Sequence, residues 1–72
     1  MSEHQKFLKN LGRHIDKIRK QKGLSFQELA LRSDIEKSNL VKLSSQGTNI
    51  TVVSLSKIAK GLDVPVYELL KF

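Results

Sequence analysis

The polar side chains of this chain that are spaced to act together fall within residues 24–43, LSFQELALRSDIEKSNLVKL. A helix starting near Lys37 that turns Leu40 and Leu43 inward leaves Ser38, Val41, Lys42 and Ser45 facing outward, with Lys37 on its exposed first turn. Such a face can donate hydrogen bonds and attract anions, but it has no means of breaking a covalent bond. No nucleophile has a base nearby, no carboxylates are paired at catalytic spacing, and no glycine-rich phosphate loop occurs. His4 and His14 lie ten residues apart on one expected helix and lack further ligands, and there is no cysteine. The expectation is therefore no metal, no cofactor and no enzyme activity.

The elements that must hold this face begin at Ser25. Its hydroxyl can accept from the amide of Glu28, whose carboxylate can reach back, while Leu24 and Leu29 bracket the pair as a hydrophobic staple. A helix is predicted from Phe26 to about Ser33. Asp34, a residue type that tolerates left-handed backbone angles, marks a turn, and a second helix follows from about Lys37. Small Ala30 lies where a steeply crossing helix needs close backbone approach. The pattern predicts a helix-turn-helix.

Length and charge bound the rest. The chain has 72 residues and a formal charge of +6, from thirteen Lys and Arg against seven Asp and Glu. It reads as one domain spanning 1–72, with 1–6 prone to fray, and a chain of this size has only a small core. The cationic surplus favours a polyanion or an anionic surface as partner. No apolar run approaches the length of a membrane span, and MSEHQKFLKN lacks the apolar centre of a secretion signal. A cytoplasmic, nucleoid-associated location without membrane contact is expected.

Before the pair, a helix is predicted from Glu3 to Lys22. Phe7, Leu8, Leu11, Ile15 and Ile18 share one face, Lys6, Lys9, Arg13, Lys17 and Lys20 cluster opposite, and Gly23 supplies the stop. After it, SSQGTN reads as a turn with Gly47 as the positive-φ residue. Thr51 is expected to cap a fourth helix whose apolar face is Val52, Leu55, Ile58, Ala59 and Leu62, with Val53 off that face. Pro65 opens a short fifth helix in which Val66, Leu69 and Leu70 cover the core, leaving Tyr67 and Phe72 partly exposed. No strand is predicted.

Three segments, IRKQKGLSFQELA, DIEKSNLVKL and SLSKIAKGLDVPVYELL, resemble the lambda-repressor-like (Cro/CI, XRE) family of helix-turn-helix regulators. The lead-in NITVVSL is similar to that of restriction-modification controller proteins and other small regulators. The resemblance runs from Leu11 to Leu70 and implies an all-α, compact five-helix DNA-binding domain with helices 2 and 3 as the helix-turn-helix. It also implies sequence-specific binding of double-stranded DNA as a homodimer, to repress or tune transcription. Phe26 stands where the family commonly has a Gln bridging a phosphate to the recognition helix. Asp34 replaces a turn Gly, and Ser33 an apolar residue before it. Arg19 matches an arginine that typically pairs with a buried Glu, but that place is Ser44 here, so Arg19 needs another acceptor, such as a turn carbonyl, or must reach solvent.

In a major groove, Lys37, Ser38, Val41 and Lys42 are the expected base contacts, with Asn39 reaching a base or a phosphate. Phosphates are expected at helix N-termini and cap residues: Ser25, Phe26, Gln27, Ser45, Thr48, Asn49 and Thr51. The resemblance places the homodimer contact around the last two helices, with Val53, Tyr67, Leu70 and Phe72 as candidates. A second reading is an antitoxin-type or other protein-interaction module on the same fold. It fits less well, because an interaction groove favours exposed Leu, Met or aromatic anchors and this face is mainly polar and basic.

Overall fold

The computed structural model describes residues 3–72 and contains four α-helices followed by one 3₁₀ turn of helix. These are α1 (Glu3–Gln21), α2 (Phe26–Ser33), α3 (Lys37–Gln46) and α4 (Val52–Leu62), then the 3₁₀ segment Val66–Leu70. Residues 3–6 belong to α1; the rest of the stretch expected to fray lies outside the described residues. The described residues contain no strand.

The fifth element thus departs from the expected helix. Pro65, at φ −67°, sets the entry, and Glu68 N–H closes back onto the Pro65 carbonyl in an i to i+3 bond. At three residues per turn this short segment drives Leu69 to full burial, while Val66 and Leu70 remain 36% and 48% exposed. Only one of the three residues expected to cover the core does so completely.

The core is built from Leu11, Ile15 and Ile18 of α1, Leu29 and Ala30 of α2, Leu40 and Leu43 of α3, and Leu55, Ile58 and Leu62 of α4, closed by Leu24 and Leu69. Three members expected on the apolar faces of α1 and α4 are missing, of which Leu8 is only half-buried. Phe7 is half exposed and tilts against the Phe72 ring, 5.4 Å between centroids. Val52, the first residue of α4, is 79% exposed, and Ile50 of the preceding loop packs against the core instead. A first-turn side chain leans back over the entering loop, beyond the interior.

Glycines set how closely the helices pack. A Cβ on Gly12 would run into the Leu43 carbonyl, so α1 and α3 meet backbone to backbone. A Cβ on Gly61 would run into the Ser33 hydroxyl, so there the backbone of α4 meets side chains of α2. Left-handed residues end all four helices: Gly23 after α1, Asp34 after α2, Gly47 after α3 and Asp63 after α4. Around Asp63 the amides of Asp63 and Val64 return to Lys60 and Ala59, a Schellman closure made without glycine.

Candidate nucleic-acid interface

The turn between α2 and α3 follows from Asp34, whose φ of 55° lets its own amide and that of Ile35 both bond the Ala30 carbonyl. That ends α2 and redirects the chain within three residues. α3 then lies with Leu40 and Leu43 inward, each 3% exposed, seated on the gap that Gly12 provides. Lys37, Ser38, Val41, Lys42 and Ser45 are all exposed and fall within an arc of about 140° on the opposite side. Asn39 lies on the flank, where with Lys42 it borders a groove of about 310 Å³ that continues to Thr48, Asn49, Thr51 and Ser54. The residues expected to meet bases thus share one outward face. Thr48, Asn49 and Thr51 join its edge, together with Ser54, which the sequence reading did not single out.

Ser45 differs in one respect from what was expected of it. Its hydroxyl donates to the Val41 carbonyl at 2.8 Å, and Ser44 does the same at 3.1 Å. The proton of Ser45 is thereby used within α3, leaving lone pairs that would face a phosphate unfavourably.

The N-terminus of α2 is a complete capping box. Glu28 N–H donates to Ser25 Oγ at 3.0 Å, and Ser25 N–H donates to Glu28 Oε1 at 3.0 Å. Both groups of Ser25 are therefore occupied, and the amides free to meet an anion are those of Phe26 and Gln27. The bonds from the Ser25 amide and hydroxyl, helped by the charge of Arg32, hold the Glu28 carboxyl below its ordinary value despite some desolvation. α4 starts in a related way: Thr51 Oγ1 accepts from Ser54 N–H at 3.0 Å and donates to Ser54 Oγ at 3.0 Å. α3 has no such arrangement, since Glu36 at its N-cap makes no side-chain capping bond.

Arg19 resolves the question raised by Ser44. Its Nη1 donates to the Leu24 carbonyl at 2.6 Å, its other nitrogens hold Asp16, and its guanidinium lies 4.0 Å over the Phe26 ring. A turn carbonyl does take the place of the missing Glu. Phe26, half-buried, supplies a stacking surface instead of a polar bridge.

Of the dimer candidates, Tyr67, Leu70 and Phe72 lie together on the 3₁₀ segment and the residues after it, 61%, 48% and 50% exposed. Val53 is also exposed but stands on the first turn of α4, apart from them. Phe72 packs on Phe7 and on His14, and His14 Nε2 contacts the Glu68 carbonyl at 2.8 Å. His14 therefore ties α1 to the last element, a role its expected surface position did not include. Among the described residues no group of His, Cys, Asp and Glu is arranged to hold a metal ion, and no helix is long and apolar enough to cross a membrane.

A short helix braced from beneath, set across a tight turn from a capped one and displaying a basic, polar face, defines a helix-turn-helix domain. Residues 14–72 match the model of the Cro/C1-type HTH DNA-binding domain, and the chain belongs to that family of DNA-binding transcriptional regulators. Among solved structures it is similar to the restriction-modification controller protein C.AhdI from Aeromonas hydrophila: 31% identity over 86% of this chain and 94% of that one, with a TM-score of 0.83. It is similar also to the wild-type restriction-modification controller protein C.Esp1396I, at 31% identity over 89% of this chain and 86% of that one, with a TM-score of 0.80. No curated protein sequence matches it.

Proposed function

We infer that this chain, acting as one domain over residues 1–72, binds a pseudo-palindromic operator as a homodimer and represses or tunes transcription in the cytoplasm. The observation that carries this reading is the exposed arc of α3 held over buried Leu40 and Leu43. In this reading α3 enters the major groove, Lys37 and Lys42 donate to guanine O6 or N7, Ser38 bonds an acceptor, and Val41 packs on a thymine methyl. Asn39 reaches a base or the adjoining phosphate. The amides of Phe26 and Gln27 beside Ser25, together with Thr48, Asn49 and Thr51, hold the backbone on either side and fix register, whereas Ser45, its proton bound to the Val41 carbonyl, does not. The likeness to two controller proteins of restriction-modification systems favours a controller role.

One such module covers too little DNA for strong discrimination, so pairing through Tyr67, Leu70, Phe72 and Val53 serves to place two α3 helices about 34 Å apart on one duplex face. The test is selection of bound duplexes from a random pool, followed by titration of Lys37→Ala and Lys42→Ala. Each variant is expected to lose about 1–3 kcal/mol on the selected site, with relaxed preference at particular bases. Equal losses on selected and random DNA would refute base reading. Sedimentation that finds only monomer at high micromolar concentration, with and without DNA, would refute pairing.

A further inference from the structure

The capping box fixes Ser25 and Glu28 relative to each other, but both belong to the start of α2 and neither ties it to the rest of the fold. Two features do. Leu24 is inserted into the core at 8% exposure, and Arg19 reaches over from the last turn of α1. The guanidinium of Arg19, on a side chain only 11% exposed, is engaged on every side. Its Nε and Nη2 hold Asp16 Oδ1 at 2.9 and 2.8 Å, and Nη1 donates to the Leu24 carbonyl at 2.6 Å. Its flat face covers Phe26 at 4.0 Å. Leu24 precedes Ser25 and Phe26 follows it, so one side chain grips the chain on both sides of the cap.

We propose that Arg19 is a positioning residue for DNA: oriented by Asp16, it sets where the Phe26 and Gln27 amides point, without itself touching the duplex. The proposal rests on the reading that those amides hold a phosphate. An amide bond to a phosphate weakens steeply with misalignment, so a terminus free to swing by an ångström loses most of the contact. Only a planar, forked cation can bond a carboxylate, bond a carbonyl and stack on a ring at once; the point charge of lysine cannot. Lys20, which also reaches Asp16, at 3.2 Å, is itself exposed.

The experiment uses a duplex recovered by selection, scanned with single neutral methylphosphonates along each strand. For the unaltered protein, one position per half-site, on the flank facing α2, should weaken binding by about tenfold or more. Arg19→Met should lose a similar factor on the unmodified duplex and show almost no further loss from that methylphosphonate, while keeping its sensitivity at every other position. Arg19→Lys should behave like Arg19→Met, and Phe26→Leu, which removes the ring but spares the guanidinium bonds, should fall between. Circular dichroism of Arg19→Lys and Phe26→Leu keeps the comparison among folded proteins. Full retention of the position-specific loss in these variants, or uniform weakening at all positions, would overturn the positioning role alone. Absence of any such position for the unaltered protein, with selective binding intact, would overturn the phosphate reading and the proposal with it.

Discussion

Two kinds of helix start stand side by side in this fold. α2 and α4 begin with a hydroxyl that accepts an amide of the first turn, and α2 adds a carboxylate that reaches back. α3 begins at Glu36, which makes no capping bond, and its first residue is Lys37, a cation at the positive end of the helix dipole. By local rules α3 is the poorest helix of the three, yet its exposed arc is the one proposed to read DNA. The contrast teaches that α3 draws its stability from below, through Leu40, Leu43 and the seam at Gly12. No side chain caps its first turn and the Lys37 charge is left uncompensated there, which suits the polyanion proposed to bind, and local rules are most often broken at functional sites.

The comparison breaks most sharply at the seam. Gly12→Ala forces a methyl against the Leu43 carbonyl, where no flexible side chain can yield, and is expected to cost about 3 kcal/mol. Thermal unfolding should show a fall of more than ~10 °C. An unchanged midpoint would mean that α3 does not depend on its seat. Lys37→Glu separates folding from binding. It should weaken binding to selected DNA by at least about 2 kcal/mol, while raising the unfolding free energy by ~0.3–1 kcal/mol because an anion now meets the dipole. Parallel titration and melting decide it, and a loss in both would sink the contrast.

Smaller changes sharpen the picture. Ser25→Ala should cost about 1 kcal/mol in denaturant unfolding, whereas Glu36→Ser, which supplies the absent cap, should gain ~0.5 kcal/mol. The smallest effect concerns acid. Because the Glu28 carboxyl is held below its ordinary value of 4.5, its contribution is complete above that value and is lost as pH falls through the lowered one. Glu28→Gln should therefore flatten the part of the melting-temperature profile on the acid side of about pH 5 that this group supplies. A profile of undiminished slope would assign the acid sensitivity to other carboxyls.

What was legible in the sequence follows the same division. The start of α2, the left-handed residues Asp34 and Gly47, the Thr51 cap and the Pro65 entry all depend on a few neighbouring residues, and each was readable from them. The outward arc of α3 was readable as well, because two leucines fix its phase. Features that depend on what another segment brings were not readable. Gly12 looks like a weak point in a helix until Leu43 is set against it, and Gly61 likewise until Ser33 is. Val52 matches the apolar spacing of α4, but Ile50 fills the space first. The acceptor for Arg19 was open between a turn carbonyl and solvent because the partner lies across a turn whose geometry the sequence does not state.

The hydroxyl of Ser33 has a consequence of its own. It is sealed between α2 and α4 at 2% exposure and, among the described residues, has no hydrogen-bond partner. Replacing it with alanine removes an unmet polar group and clears the atom that most obstructs a side chain at residue 61, so Gly61→Ala, better suited to a helix interior, then needs only the flexible end of Leu29, 3.1 Å away, and the residue-33 Cβ, 3.3 Å away, to give by a few tenths of an ångström. The order of these two changes is fixed, because the second is obstructed until the first has occurred. A more heat-tolerant descendant of this protein thus lies two ordinary steps away, along a path that leaves the exposed arc of α3 untouched.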